Sequence, residues 1–410
     1  MPTVRVLFPY LARWRALNWG RYQGLLGAVA RAGHEVVVLE PPPVPGSREI
    51  GWRDAAEVRA PEGVRVEEVR MPGWWARRLP KLARKGAFAL ALLGPVAELA
   101  READVVLLYN LPLLPAAALA RRSFGGRPGV VAVDLADDLV GMLVREAGPW
   151  AEPFGRAALG RLVRAADVVT AASEPLAAAV GGRWLPNGVD LGEVRWRGGP
   201  PEPRSIGYLG ALEYFVDLDL LEGVARSLPD HVLHVVGGGR REEEFRDRLG
   251  RLPNVRWHGA VPHREVWRHV GRWSVGLVPF RDGPVSAGSF PLKALEYLAA
   301  GAAVVGTPVP ALGRLASEGL PVAVAGDVDG FAAAVRRLGD TPEPARRAAR
   351  ALVERRFSWD RIAAEWLRWI GGALGGAEAR RGGAARHEKE RDGEGDRDLS
   401  AAPARVGVGA

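Results

Sequence analysis

The sequence predicts an α/β protein of two doubly wound parallel sheets, and three observations carry that expectation. Short apolar runs rich in Val and Leu alternate with segments of helical spacing through the first half of the chain. A Gly- and Pro-dense stretch, Gly192–Pro203 (GEVRWRGGPPEP), then interrupts the rhythm. Beyond it the same alternation restarts, which makes two Rossmann-like units of similar size facing each other across a ligand cleft.

In the first unit, strands are expected at Val4–Phe8, Glu35–Leu39, Val105–Tyr109, Val130–Val133 and Val168–Ala171. Helical spacing covers Arg21–Ala32, Pro115–Arg122 and Phe154–Ala166. The second unit offers strands at Ser205–Leu209, Val232–Val236, Val255–Trp257, Ser274–Pro279 and Ala303–Val305, with helices at Asp217–Arg226, Arg240–Leu249 and Pro291–Ala300. The expected limits are 1–191 for the first domain, 192–203 for a linker and 204–356 for the second domain, with a last helix in 357–372. From 373 to 410 the chain is polar, Gly-rich and mixed in charge, so disorder is expected.

Composition narrows the chemistry. A chain with no cysteine has no disulfide, thiol nucleophile or Cys-ligated zinc. The net charge is +8, but 52 of the 56 basic residues are Arg, the codon habit of a GC-rich genome; no basic–aromatic motif argues for nucleic acid. Residues 1–8 begin as a strand, without the charged and apolar regions of a signal peptide. The longest apolar run, Gly86–Ala97, falls short of the ~20 residues that span a bilayer. A cytoplasmic protein is expected, with one candidate for peripheral membrane attachment. Residues 70–93 hold Trp74, Trp75, Arg77, Arg78, Lys81, Arg84 and Lys85 and no acid, which suits either an anionic lipid surface or a helix with a basic solvated face.

The segment Ser289–Thr307 (SFPLKALEYLAAGAAVVGT) carries the most chemistry. Ser289 reads as an N-cap, Pro291 as an early helical residue, and Gly301 as the stop before a strand. Such a helix points free amides and its positive dipole end at the ligand edge of the sheet, where a diphosphate fits. Glu296, one to two turns in, is placed to accept hydrogen bonds from a diol such as a ribose. Asp134, Asp137 and Asp138 cluster after a strand, at the same kind of edge. Two Asp-x-Asp pairs, 217/219 and 327/329, resemble metal motifs, but the first lies in a helix where i and i+2 do not share a face. No metal site is expected, and the seven His show no ligand spacing.

These residues resemble the GT-B glycosyltransferases of the group 1 (family 4) type, whose donor motif is E-G-F-G-L-x-x-L-E-A-M-A-x-G-x-P-V-V. Phe290, Leu292, Leu295, Glu296, Ala299, Gly301, Val304 and Val305 match in register, with Gly288 at the first Glu and Pro291 at the second motif glycine. A subgroup acting on bacterial surface polysaccharides, with N-P-x-K-x-x-E-Y-L-A-A-G-x-P-V-V, is matched by Pro291, Lys293 and the run Glu296–Gly301. Trp19, Arg21 and Gln23 resemble that subgroup's opening W-x-R-P-Q, and Asp134, Asp137 and Asp138 its Y-D-x-x-D-D segment. LPNGVD at Leu185–Asp190 and IGYLGALEYFVDLDLL at Ile206–Leu221 match further family segments, with Glu213 and Tyr214 where familiar members carry Arg and Lys.

The resemblance implies a GT-B fold and transfer of a sugar from a nucleotide-diphosphate sugar to a hydroxyl of a glycan or lipid-linked acceptor. It implies retention of configuration, with neither metal nor resident cofactor. It assigns Lys293, Asp137 and Asp138 to catalysis, and Arg21 and Asp134 to the acceptor. Donor binding falls to Gly210, Gly237, Gly238, Val261, Ser289, Phe290, Leu292 and Glu296. The departures at Gly288, Glu213 and Tyr214 leave a second reading, a protein that binds the nucleotide sugar or a glycan without turnover.

Overall fold

The computed structural model describes residues 2–15, 20–44, 60–192, 194, 196 and 198–395. The first half builds a seven-stranded sheet from β1 (Arg5–Pro9), β2 (Glu35–Glu40), β3 (Val64–Glu68), β4 (Val105–Leu108), β5 (Val130–Leu135), β6 (Val168–Ala171) and β7 (Arg183–Trp184). Its order is β3-β2-β1-β4-β5-β6-β7. Every pairing is parallel, with Val6 opposite Val36 on one side and Val105 on the other. The second half repeats the plan with β8 (Ser205–Leu209), β9 (Val232–Val236), β10 (Val255–Gly259), β11 (Val275–Val278), β12 (Ala303–Gly306) and β13 (Val322–Val324), in the order β10-β9-β8-β11-β12-β13.

Parallel strands covered by helices on both faces must be apolar on both faces, which explains the unbroken runs VVLL and VVAV. In β1, Leu7 points into one core with Phe88 and Val106, while Val6 and Phe8 point into the other with Leu25 and Val29. Three strands, β3, β7 and β13, have no counterpart in the sequence reading. All three are edge strands: β7 and β13, of two and three residues, are hidden by brevity, and β3 by its polar, half-exposed sequence.

Strand order reverses between β1 and β4 in the first sheet and between β8 and β11 in the second. Ligands of open α/β sheets bind outside the carboxyl ends at such points. Here the two carboxyl edges face each other. Ser173, after β6, donates from Oγ to the Gly288 carbonyl at 2.6 Å, and Asn187 donates from Nδ2 to the Phe290 carbonyl at 2.6 Å.

The chain then returns to the first domain. The helix Glu343–Phe357 sets Ala349, Val353 and Phe357 into the second core. Val189 N–H donates to Phe357 and Trp359 N–H to Val189, and the next helix buries Trp359, Ile362, Trp366 and Ile370 against the first sheet. That helix runs from Trp359 to Gly395, so residues 373–395 are helical where disorder was expected. Its packed first turns supply the nucleus, and Ala, Arg and Glu between the glycines let it propagate without a new nucleation cost, although each Gly weakens it. Residues 396–410, Trp19 and the Arg77 side chain lie outside the described residues. Among the described residues no helix is long and apolar enough to cross a membrane.

Candidate active site

The second domain's switch point is built by close backbone approach. Gly210 follows β8 at φ +134°, and its N–H donates to the Val236 carbonyl at 2.9 Å. Gly237 follows β9 at φ +143°, and a Cβ there would lie 1.9 Å from the Gly210 carbonyl oxygen. Any side chain at 237 would drive the two loops apart. Gly238 lies in the same turn and accepts from Leu212 N–H at 3.0 Å. Two buried tyrosines brace the loop: Tyr208 donates to the Ala211 carbonyl at 2.8 Å, and the Tyr297 hydroxyl accepts from Leu209 N–H at 2.8 Å.

The helix Leu292–Ala299 starts opposite this loop, with Pro291 as its N-cap residue and no side chain capping it. Ser289 is not the cap that the sequence suggested. The extended backbone of Pro291 delays the first helical residue to Leu292, and the Ser289 hydroxyl instead donates to the Ser286 carbonyl at 3.0 Å. Ala294 N–H turns back to the Pro291 carbonyl at 3.1 Å, which leaves the Leu292 and Lys293 amides to a ligand or solvent.

Lys293 lies in the first turn. Its Nζ stands 4.1 Å from the Tyr208 ring centroid and 5.2 Å from that of Phe280. A Cβ at position 210 would come within 2.8 Å of it, so Gly210 leaves the ammonium its space. Burial pushes the Lys293 ammonium down to about 7, with the Glu296 charge opposing. Held by rings, this ammonium is available to an anion.

Glu296 lies nearly one turn further along, with Oε1 3.8 Å from His263 Nε2. Together with Trp267, Leu292, Gly188, Asp190 and Trp359 these two line a narrow cleft between the domains. Val261 precedes His263 at the end of the β10 loop and is half-buried. Phe290 is core: it packs on Phe357 at 5.9 Å, and only its carbonyl, held by Asn187, bears on the site.

Across the cleft, the aspartates separate into different tasks. Asp134 is fully buried and forms a two-point ion pair with Arg21, Nε–Oδ2 at 2.7 Å and Nη2–Oδ1 at 2.8 Å. Arg21 Nη1 donates to Asn187 Oδ1 and the Pro186 carbonyl, and Nη2 also to the Leu185 carbonyl, so all five N–H groups are used. Both are buried and turned to each other rather than open to the cleft as the sequence reading expected, since a buried charge at a sheet edge is tolerated only with its counter-charge and hydrogen bonds in place. The line Asp134–Arg21–Asn187–Phe290 ties the first core to the start of the Lys293 helix.

Asp138 is an N-cap rather than a free catalytic carboxylate. Its Oδ1 accepts from Val140 and Gly141 N–H at 3.0 Å and starts the helix Leu139–Ala147. Asp137 remains. It is partly exposed and makes no hydrogen bond or ion pair among the described residues. Burial raises its pKa, with Arg21 opposing and Asp138 adding to the rise. In the Asp-x-Asp pairs, Asp217 and Asp327 cap helices through Leu220 N–H and Gly330 N–H.

The lysine, glutamate and glycine-loop set at a switch point matches a family with this architecture. Residues 203–340 match the glycosyl transferases group 1, and residues 20–189 match the glycosyl transferase 4-like domain. The chain belongs to the group 1 glycosyltransferases. Among curated relatives, TuaH of Bacillus subtilis, named for teichuronic acid biosynthesis, is 28% identical over 170 residues, covering 40% of this chain and 43% of TuaH. The chain therefore spans less than half the length of that relative. Sucrose-phosphate synthase from Thermosynechococcus elongatus superposes with a TM-score of 0.70 at 16% identity, covering 91% of this chain and 100% of that one. Anabaena HepE in complex with UDP and glucose gives 0.64 at 16% identity, over 90% of this chain and 100% of that one. This likeness establishes the GT-B fold: two Rossmann-like domains about a cleft.

In this group 1 chain the sequence reading passed over His263, although it lies two residues after Val261, which that reading gives to the donor. It took Asn187 only as part of the matching LPNGVD segment; its grip on Phe290 joins positions 103 residues apart and has no local signature. If Glu296 holds a diol, Glu296→Gln is expected to weaken nucleotide binding by about 1.5–3 kcal/mol, the scale of a charged hydrogen bond. Calorimetric titration checks this, and unchanged affinity would remove Glu296 from the site.

Proposed function

We propose that the protein transfers a sugar from a nucleotide-diphosphate sugar to a hydroxyl of a cell-surface glycan or its lipid-linked precursor, with retention of configuration and with neither metal nor resident cofactor. The observation that carries this reading is the Lys293 ammonium at an uncapped helix start, facing the Gly210 loop, with Glu296 on the same helix. The barrier is separation of a diphosphate from an oxocarbenium-like sugar, so a preorganised cation and amides stabilise charge that grows in the transition state. Asp137, open on the opposite edge, is the group suited to an acceptor hydroxyl. The complex of HepE with UDP-glucose and the teichuronic acid name of TuaH support the choice of donor and acceptor class. With Asp217 and Asp327 spent on helix caps, charge stabilisation by Lys293 and amides supports the metal-free reading.

Incubation with UDP-, GDP-, ADP- and dTDP-sugars and a lipid-linked or oligosaccharide acceptor tests the proposal. Release of one nucleoside diphosphate, dependent on acceptor, is expected. Saturable binding without release would favour the non-turnover reading, which Gly288 supports because it puts no carboxylate where the family motif has its first Glu.

Peripheral attachment to an anionic membrane belongs to the same proposal, in revised form. Trp75 is core, 1% exposed, and donates to the Arg84 carbonyl at 3.0 Å; it reaches no lipid. Lys81 pairs with Glu146 at 2.7 Å, tying the helix Lys81–Ala91 to the helix Leu139–Ala147. Trp74, at 52% exposure, is joined on this domain by Trp150 and Phe154, each 68% exposed. Co-sedimentation with anionic vesicles at low salt and release at high salt are expected. Replacing Trp74, Trp150 and Phe154 together with Ser should lower the bound fraction several-fold. Wild-type protein left in the supernatant at low salt would reject attachment.

A further inference from the structure

The helix Leu139–Ala147 ends at the mouth of the cleft, where the first domain reaches the loop after β8. Arg145, near its last turn, places its guanidinium carbon 3.2 Å from the centroid of the Tyr214 ring, which belongs to the second domain. The neighbouring carboxylates are engaged elsewhere. Glu146 pairs with Lys81 at 2.7 Å, Glu213 with Arg240 at 2.9 Å, and Asp138 caps the helix. Asp137, on the same segment, forms no ion pair with Arg145. Among the described residues Arg145 is thus a permanent cation held by a ring face alone.

The loop it touches begins at Gly210, opposite Lys293. A nucleoside diphosphate at that point brings several negative charges. Against them the second domain sets the Lys293 ammonium, half neutral near pH 7, and helix amides, while Arg240 beside the loop is paired with Glu213. Glu213 and Tyr214 add no cation to the loop. The missing positive charge stands across the cleft.

We propose that Arg145, carried by the first domain, completes the binding of the nucleoside diphosphate held at Lys293, with the Tyr214 ring as its seat when no diphosphate is present. The inference rests on the donor reading above and adds a diphosphate-binding residue to it. A guanidinium gains more from a two-point phosphate contact than from an exposed ring face, so the exchange is favourable. It also makes closure of the two domains respond to the diphosphate, since the cation and the rest of its site lie on different domains.

The test is affinity, measured separately for diphosphate and nucleoside. UDP, GDP, ADP and dTDP are titrated into wild type, then the diphosphate that binds and its parent nucleoside into Arg145→Gln, Arg145→Lys and Tyr214→Phe. Arg145→Gln is expected to lose about tenfold in diphosphate affinity, the scale of one charged contact, with nucleoside affinity unchanged. Arg145→Lys should recover part of the loss, and Tyr214→Phe, which keeps the ring, should bind as wild type. Because Arg145 is exposed, the unfolding midpoint of Arg145→Gln should match wild type, and this is measured alongside. Equal losses for nucleoside and diphosphate, or no loss for either, would overturn the role of Arg145. Wild type that binds none of the four would overturn the donor reading itself, and this inference with it.

Discussion

In Lys293→Met, kcat is expected to fall by about 10²–10³-fold while donor affinity changes much less, the loss typical of removing one preorganised group from developing negative charge. Met keeps an unbranched stem of similar bulk beside the Tyr208 and Phe280 rings and lacks the ammonium, so the change isolates the charge. The wild-type pH profile follows from burial, which brings the Lys293 ammonium down to about 7. The cation is fully present below that value and is lost as pH rises through it, so kcat/KM should decline above about pH 7. With the diphosphate bound, its negative charge raises the lysine pKa, and the decline in kcat should move to higher pH. Lys293→Met should lack this alkaline limb altogether. Stability carries the same signature with the opposite slope. A folded pKa below that of the unfolded chain means the folded protein binds fewer protons, so stability should rise with pH from about 7 towards about 10, and less so in the Met variant. A pure loss of donor affinity would reassign Lys293 to ground-state binding.

Arg21→Ala is expected to destabilise the first domain by about 3–5 kcal/mol, because it strands the Asp134 carboxylate without its counter-charge in a fully buried position. Thr170 Oγ1, at 2.6 Å, is the only other side chain bonded to that carboxylate among the described residues, and a hydroxyl does not replace a guanidinium. Asp134→Ala should cost a similar amount by stranding Arg21. The double replacement Arg21→Ala with Asp134→Ala should cost clearly less than the two single changes added together, since no unpaired charge then remains. Urea unfolding of all four proteins measures this cycle. Additive losses would show that the pair does not act as one unit. The same break frees Asn187 from Arg21, so donor affinity in Arg21→Ala is expected to fall although no atom of Arg21 reaches the cleft.

The contrast between these two residues shows what the sequence could and could not say. Lys293 and Glu296 were legible because their relation is local: three residues on one short helix fix which face they share. Strands β1, β4, β5 and β11 were legible because double-sided burial writes a continuous apolar run. Arg21 and Asp134 were correctly placed at the ligand edge and wrongly pointed into the cleft. They are 113 positions apart, and nothing local distinguishes a carboxylate facing solvent from one that has found an arginine beneath the edge. Asp138 fails for the opposite reason. The helix it caps, LVGMLVREA, was hidden by its own apolar, strand-like start, so the capping role had no visible helix to serve. Arg145 belongs to that same missed helix, and its meeting with Tyr214 exists only once the domains face each other.

Where the nucleotide sits is the central claim, and hydrogen–deuterium exchange with and without the nucleoside diphosphate that binds tests it most directly. Protection is expected in peptides covering 208–214, 237–239 and 289–297, the two glycine loops and the Lys293 helix. These are the segments that the donor reading sets around the diphosphate and ribose, the glycine loops by close backbone approach and the helix by its uncapped start. Protection confined to the ends of the first sheet, around residues 134–138, or no protection at saturating ligand, would contradict the placement of the donor on the second domain.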